Sequence, residues 1–96
     1  MLSSKQRAYL RGMANDIDVI LSVGKGGVSD GVIAQADEAL TAHELIKGSV
    51  QTNADLSARD VCGLIVEATG AEPVQCIGRK FVLFRPSKDK KINLPG

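Results

Sequence analysis

The stretch Val19-Ile20-Leu21-Ser22-Val23-Gly24-Lys25-Gly26-Gly27-Val28-Ser29-Asp30 sets the architecture of this 96-residue chain. An apolar run gives way to three glycines around one lysine, and Ser29 can cap a helix, so the stretch reads as buried strand, tight turn and helix start. That succession is the first half of a strand–helix–strand crossover and implies an α/β fold. It also has chemical content. The glycines let bare backbone approach a ligand, Lys25 adds a cation, and the helix start presents unpaired amides. Together they favour a phosphate, belonging either to a nucleotide cofactor or to a nucleic-acid backbone.

On the N-terminal side, Ser3 or Ser4 can cap a helix through about Asn15. Leu10, Met13 and Ala14 share its apolar face, Arg7 and Arg11 stack four apart beside it, and Gly12 weakens it. The strand is expected over Ile17 to Val23 and, being almost wholly apolar after Asp18, to be central or covered on both faces. On the C-terminal side, Ser29 caps a helix to about Ala42, with Val28 and Ile33 placed for a hydrophobic staple and Val32, Ala36 and Leu40 along one face. Glu44 to Gln51 is a second strand. A third helix begins between Asn53 and Ser57, where Ser57 and Asp60 form a capping pair; Val61, Leu64, Ile65 and Ala68 mark its core stripe and Gly70 its left-handed stop.

Val74 to Ile77 and Lys80 to Arg85 flank Gly78-Arg79, which suits a type II′ hairpin with Cys76 opposite Phe81 and Val74 opposite Leu83. The order helix, strand, helix, strand, helix, strand, strand predicts an α/β two-layer sandwich with a mixed four-stranded sheet. Residues 1–96 make one domain, with 44% apolar residues to supply its core and residues 87–96 as a basic tail that adds charge more than core.

The formal net charge of +1 conceals segregation. Residues 1–15 carry three bases and no acid, residues 16–78 three bases against ten acids, and residues 79–96 six bases against one acid. Basic ends brought together in space would suit a polyanion; scattered, they would serve solubility. Cys62 and Cys76 are far apart in sequence and read as core thiols rather than as a disulfide or metal pair. Apolar runs fall short of a membrane span, so a soluble cytoplasmic protein without leader or membrane contact is expected.

Catalytic readings are thin. Gly24-x-Gly26 after a strand approaches the dinucleotide fingerprint, and Glu44 lies about twenty residues on, but Ser29 stands where a third glycine belongs and no second half-domain is available to hold substrate. The nucleotide-hydrolase loop motif is absent from the sequence. His43, the one histidine, reads as a helix-terminal surface residue, and Asp37 and Glu38 are adjacent helix positions that point to different sectors. No enzyme, no cofactor and no metal are expected. An RNA clamp needs fewer assumptions, since a Gly-x-x-Gly loop admits a sugar–phosphate chain as it does in KH domains. With only Tyr9, Phe81 and Phe84 as aromatics, shape and phosphate contacts would carry the affinity.

The residues also support a resemblance. Leu2-Ser3-Ser4-Lys5-Gln6-Arg7, the strand with Gly24-Lys25-Gly26-Gly27, Gly31-Val32, His43-Glu44-Leu45-Ile46-Lys47, Glu67-Ala68-Thr69-Gly70-Ala71, Gln75-Cys76-Ile77-Gly78-Arg79, Leu83-Phe84-Arg85-Pro86-Ser87-Lys88 and Lys91-Ile92-Asn93-Leu94-Pro95 resemble, in order and spacing, the bacterial YhbY family. Its members are stand-alone versions of the CRM domain, an RNA-binding module also found in plant organelle splicing factors and similar in fold to the C-terminal domain of translation initiation factor 3. The resemblance implies sheet order 1-2-4-3 with the last strand antiparallel, RNA binding through the Gly24 to Gly27 loop and adjacent basic surface, and association with ribosomal RNA in precursors of the large subunit.

Gly48 and Gly63 depart from the pattern and are expected to weaken their strand and helix. The expected RNA-binding set is Gly24, Lys25, Gly26 and Gly27 with Arg7, Arg11, Arg79, Lys80 and Arg85, the last five chosen by charge and flanking position. A monomer is the expected state. The alternative is a protein-interaction module that docks on a ribosomal protein through its hairpin or a helix face.

Overall fold

The computed structural model describes residues 2–88 and 92–95 and places seven elements in the order α1 (Ser4–Ala14), β1 (Val19–Val23), α2 (Asp30–His43), β2 (Leu45–Val50), α3 (Ala58–Thr69), β3 (Glu72–Ile77) and β4 (Lys80–Phe84). Each helix starts at a serine. Ser3 Oγ accepts from the Gln6 amide at 3.1 Å while Gln6 Oε1 accepts from the Ser3 amide at 3.0 Å. Ser57 and Asp60 close the same reciprocal box on α3, and Ser29 Oγ accepts from the Val32 amide on α2. Gly70, with φ of 75°, ends α3 in the left-handed conformation expected of it.

The sheet order is β1-β2-β4-β3, with β1 parallel to β2 and β4 antiparallel to both its neighbours. This is the mixed sheet that the order of elements predicted and the strand order that the resemblance implied. Gly78 has φ of 60° while Arg79 keeps a negative φ, the signs that a type II′ hairpin requires.

Helices α2 and α3 cover one face of the sheet over a core that includes Leu21, Leu40, Ile46, Val61, Ile65 and Phe81. The other face carries α1, whose Leu10 and Ala14 pack with Leu45, Val74, Val82 and Phe84. Ile92 and Leu94 join this second cluster, and Gln6 Nε2 donates to the Pro95 carbonyl at 3.2 Å, so the C-terminal segment contributes core as well as charge. Asp89, Lys90, Lys91 and Gly96 of that tail lie outside the described residues.

Glu44 ties the tail down. It is fully buried with φ of 66°, and its carboxylate accepts from the Ser87 amide at 2.6 Å, Ser87 Oγ at 2.7 Å and the Ile92 amide at 2.7 Å. Such bonds compensate the desolvation that a buried charge would otherwise suffer. The second strand therefore starts at Leu45, one residue later than expected, because Glu44 turns inward as the α2 cap.

Four further local expectations change. The first strand begins at Val19 rather than Ile17 and is an edge strand, with Val19 and Ile20 exposed and only Leu21 and Val23 buried. The core stripe of α3 is Ala58, Val61, Cys62 and Ile65; Leu64 and Ala68 face solvent because the helix is rotated by about one residue from the expected face. Cys76 does pair with Phe81, but an irregularity between Pro73 and Gln75 sets Pro73 opposite Leu83 and turns Val74 toward the α1 side. Gly48 is no defect: a Cβ there would lie 2.3 Å from Phe81 Cζ, so the bare backbone is the seat of a fully buried ring. At Gly63 a Cβ meets nothing within 4 Å, and no packing reason offsets its helix cost.

Candidate nucleic-acid interface

Because β1 and β2 run parallel and β4 runs back between β2 and β3, the C-terminal ends of β1 and β2 share one end of the sheet with the β3–β4 hairpin. The glycine loop leaves β1 at that end. Its backbone closes as a turn, the Gly27 amide donating to the Gly24 carbonyl at 3.0 Å, and Gly27 takes a φ of 71° that a side chain would strain.

The loop is propped by a residue that the sequence did not single out. The Gln51 amide donates to the Val23 carbonyl at 2.8 Å, its Nε2 donates to Ser22 Oγ at 3.2 Å, and its Oε1 lies 3.0 Å from where a Cβ on Gly24 would sit. Gly24 is thus small to admit Gln51, and Gly27 for its φ. At Gly26 a Cβ would meet nothing within 4 Å and φ is ordinary, so the fold itself places no demand for glycine there.

The hairpin is joined to the same end by a backbone bond from the Val50 amide to the Arg79 carbonyl at 2.7 Å. Lys25, Arg79 and Lys80 are all exposed, and none of their side chains has an ion pair or hydrogen bond among the described residues. On the α1 side of the sheet, Lys80 shares a shallow depression of about 240 Å³ with Lys47, Gln75, Ile77 and Asn15. Lys47, which sequence reasoning missed, donates from Nζ to the Ala14 carbonyl at 3.3 Å, the cation sitting at the C-terminal end of α1 where it complements the helix dipole. Its strand alternation, pointing to the α1 side between the inward Ile46 and Gly48, was the available signal.

Arg11 lies one turn before Asn15, and Arg7 one turn further back, so α1 leads away from the depression with its bases in line. Arg11 is exposed and Arg7 half-buried. The three aromatics divide: Phe81 and Phe84 are core, and Tyr9 on α1 is exposed.

Arg85 stands apart from the set in which the sequence placed it. It follows β4 at the opposite end of the sheet, where its amide donates to the Glu44 carbonyl. Its guanidinium is fully engaged, donating to Asp37 Oδ1 at 2.6 Å, the Thr69 carbonyl at 2.9 Å, the Asp37 carbonyl at 3.0 Å and Thr41 Oγ1 at 2.8 Å. This arginine binds the end of α2 to the end of α3. A flanking position in sequence says nothing about which end of an antiparallel strand a residue occupies.

His43 is the exposed last residue of α2. Cys62 and Cys76 are free thiols that line one cavity of about 280 Å³ between α3 and β3, despite their separation in sequence. Burial, with a smaller contribution from Cys76, pushes the Cys62 thiol up to about 11. Among the described residues, no group of three or more histidine, cysteine or acidic side chains converges as a metal site, and no helix is long and apolar enough to cross a membrane.

The sequence pattern of the CRS1/YhbY (CRM) domain matches residues 2–85. A Bacillus subtilis protein named Probable RNA-binding protein YqeI is 45% identical over 96 residues, which span 99% of this chain and 100% of that protein. A Haemophilus influenzae protein named RNA-binding protein is 41% identical over 95 residues, covering 98% of this chain and 95% of its own length. The solution structure of a hypothetical Staphylococcus aureus protein, provisionally described as RNA-binding, superposes with a TM-score of 0.82 at 43% identity, covering 99% of this chain and 100% of that one.

Proposed function

The chain belongs to the CRS1/YhbY (CRM) domain family, and from that premise we propose that it binds RNA without catalysis, as a cytoplasmic monomer acting on ribosomal RNA in precursors of the large subunit. The observation that carries the reading is that the Gly24–Gly27 loop and the Gly78-Arg79-Lys80 hairpin flank the end of β2 at one end of the sheet, and that Lys25, Arg79 and Lys80 on them have no side-chain partner among the described residues. Unpaired exposed lysine and arginine are free to contact phosphates and release their counterions, which is the main source of nucleic-acid affinity.

The loop adds what charge alone cannot. Gly26 leaves its backbone open, and beyond it the Asp30 and Gly31 amides at the start of α2 are not consumed by the Ser29 cap, which takes Val32. A phosphate oxygen can approach these donors at close range, although Asp30 offsets part of the dipole that would draw it. With one exposed aromatic, recognition runs through backbone shape and phosphate, as suits structured RNA. The ribosomal target rests on the resemblance to the stand-alone YhbY proteins.

The test is binding of the full chain to transcribed large-subunit ribosomal RNA fragments across a salt series. Affinity that falls steeply with salt supports the reading. Affinity that is indifferent to salt, or stabilisation of the fold by a dinucleotide or ATP and not by RNA, contradicts it.

A further inference from the structure

The sheet end opposite the glycine loop carries a second concavity whose chemistry does not suit RNA. The starts of β1 and β2 and the turn after α1 enclose a cavity of about 430 Å³ walled by Met13, Ile17, Ile20 and Leu45. Ile46, Ile92 of the C-terminal segment, Asp16, Asp18 and His43 complete its lining, and the two aspartates and the histidine are exposed. Neither aspartate carboxylate has an ion pair or hydrogen bond among the described residues. Ile20 is 42% exposed on an edge strand, where a charged side chain usually guards against association. Two free carboxylates beside an aliphatic hollow repel a phosphate chain and attract a cation, and the hollow itself rewards a large apolar side chain.

We propose that this acidic-edged groove is a protein-docking site for a basic segment, one aliphatic side chain entering the cavity while flanking lysines or arginines pair with Asp16 and Asp18. The partner is a protein distinct from this chain. The site lies at the other pole of the sheet from Lys25, Arg79 and Lys80, so RNA and the partner can be held at once. A second copy of this chain has similar chemistry to offer, because Ile77, 65% exposed, stands beside Arg79 and Lys80. Such head-to-tail contact would build a ring or an open chain rather than a two-fold pair, and the test separates it from the proposal.

The full chain, labelled with nitrogen-15, is titrated with a blocked pentapeptide of two lysines, one leucine and two lysines while its amide resonances are followed. Saturable shifts centred on Met13, Ile20 and Leu45, with a dissociation constant on the order of 0.1–1 mM, are expected. Replacing the leucine by glycine, combining Asp16→Asn with Asp18→Asn, or introducing the surface change Ile20→Ser should each weaken binding about fivefold or more, and Glu67→Gln on α3 should not. Absence of saturation at millimolar peptide, equal binding of the glycine peptide, or shifts centred on α3 overturns the proposal. So does concentration-dependent self-association by sedimentation that Ile77→Ser abolishes, which would give the groove to a second copy.

Discussion

The Val50 amide donates to the Arg79 carbonyl at 2.7 Å, and this bond extends the β2–β4 ladder beyond Ser49 and Lys80 to the tip of the β3–β4 hairpin, beside the strand from which the glycine loop departs. Lys25 and Arg79, distant in sequence, thereby lie at the same end of the sheet. Lys25→Gln and Arg79→Gln should each reduce the slope of log affinity against log salt by about 0.7–0.9, the loss of one phosphate contact. Both positions are exposed, so stability should stay within about 0.5 kcal/mol of the parent. Equilibrium binding to a large-subunit RNA fragment between low and moderate salt, beside urea unfolding, checks both statements.

Gly26 separates backbone approach from charge. Since a Cβ there meets nothing and φ is ordinary, Gly26→Ala should unfold at or slightly above the parent midpoint. Its RNA affinity should nevertheless fall about fivefold, as one backbone contact worth about 1 kcal/mol is obstructed. Gly27→Ala is the contrasting variant, because its φ of 71° makes it lose about 1–2 kcal/mol of stability whatever the RNA does.

Two other glycines should respond in opposite directions. Gly48→Ala drives a methyl group into the Phe81 ring and should cost about 1–3 kcal/mol or more, since Phe81 is fully buried and cannot yield. Gly63→Ala occupies open space on α3 and should stabilise by about 0.5–1 kcal/mol. Denaturant midpoints of the two variants decide the matter.

Cys62 predicts a pH dependence. Burial raises its thiol from an ordinary 9.0 to about 11 in the folded chain, so between those values the unfolded state loses a proton that the folded state keeps. Stability should therefore fall as pH rises from about 9 to about 11, and Cys62→Ala should flatten that part of the profile. At pH 8 an alkylating reagent should modify the partly exposed Cys76 well before Cys62.

Much of this was legible in the sequence because local signals and topology agreed. Serine caps, the Gly70 stop and the Gly78 hairpin each rest on residues within a few positions of one another, and the structure keeps them. What was not legible depended on contacts across the fold. The apolar composition of β1 suggested a covered strand, but coverage depends on neighbours, and β1 has a strand on one side only. Gly48 looked like a flaw until Phe81 was seen over it. Glu44 offered no sign of its inward turn toward Ser87 and Ile92, because its partners are more than forty residues away.

The candidate surface was legible in the same uneven way. The loop announced itself by its glycines, and Arg79 and Lys80 by the turn that exposes them. Gln51 was invisible because its role exists only against Gly24, and Lys47 showed itself only through the alternation of its strand. Arg85 carries the charge but lies at the other end of the sheet, its guanidinium bonded to Asp37, Thr41 and the Thr69 carbonyl.

Crosslinking in cells followed by sequencing of the bound RNA tests the central claim most directly, with Lys25→Glu and Arg79→Glu combined in one variant. Large-subunit ribosomal RNA should be recovered with the native chain and lost with the variant at equal protein abundance. Recovery of the same RNA with both proteins would remove the loop and hairpin from the RNA surface, and recovery of no ribosomal RNA with the native chain would contradict the ribosomal target itself.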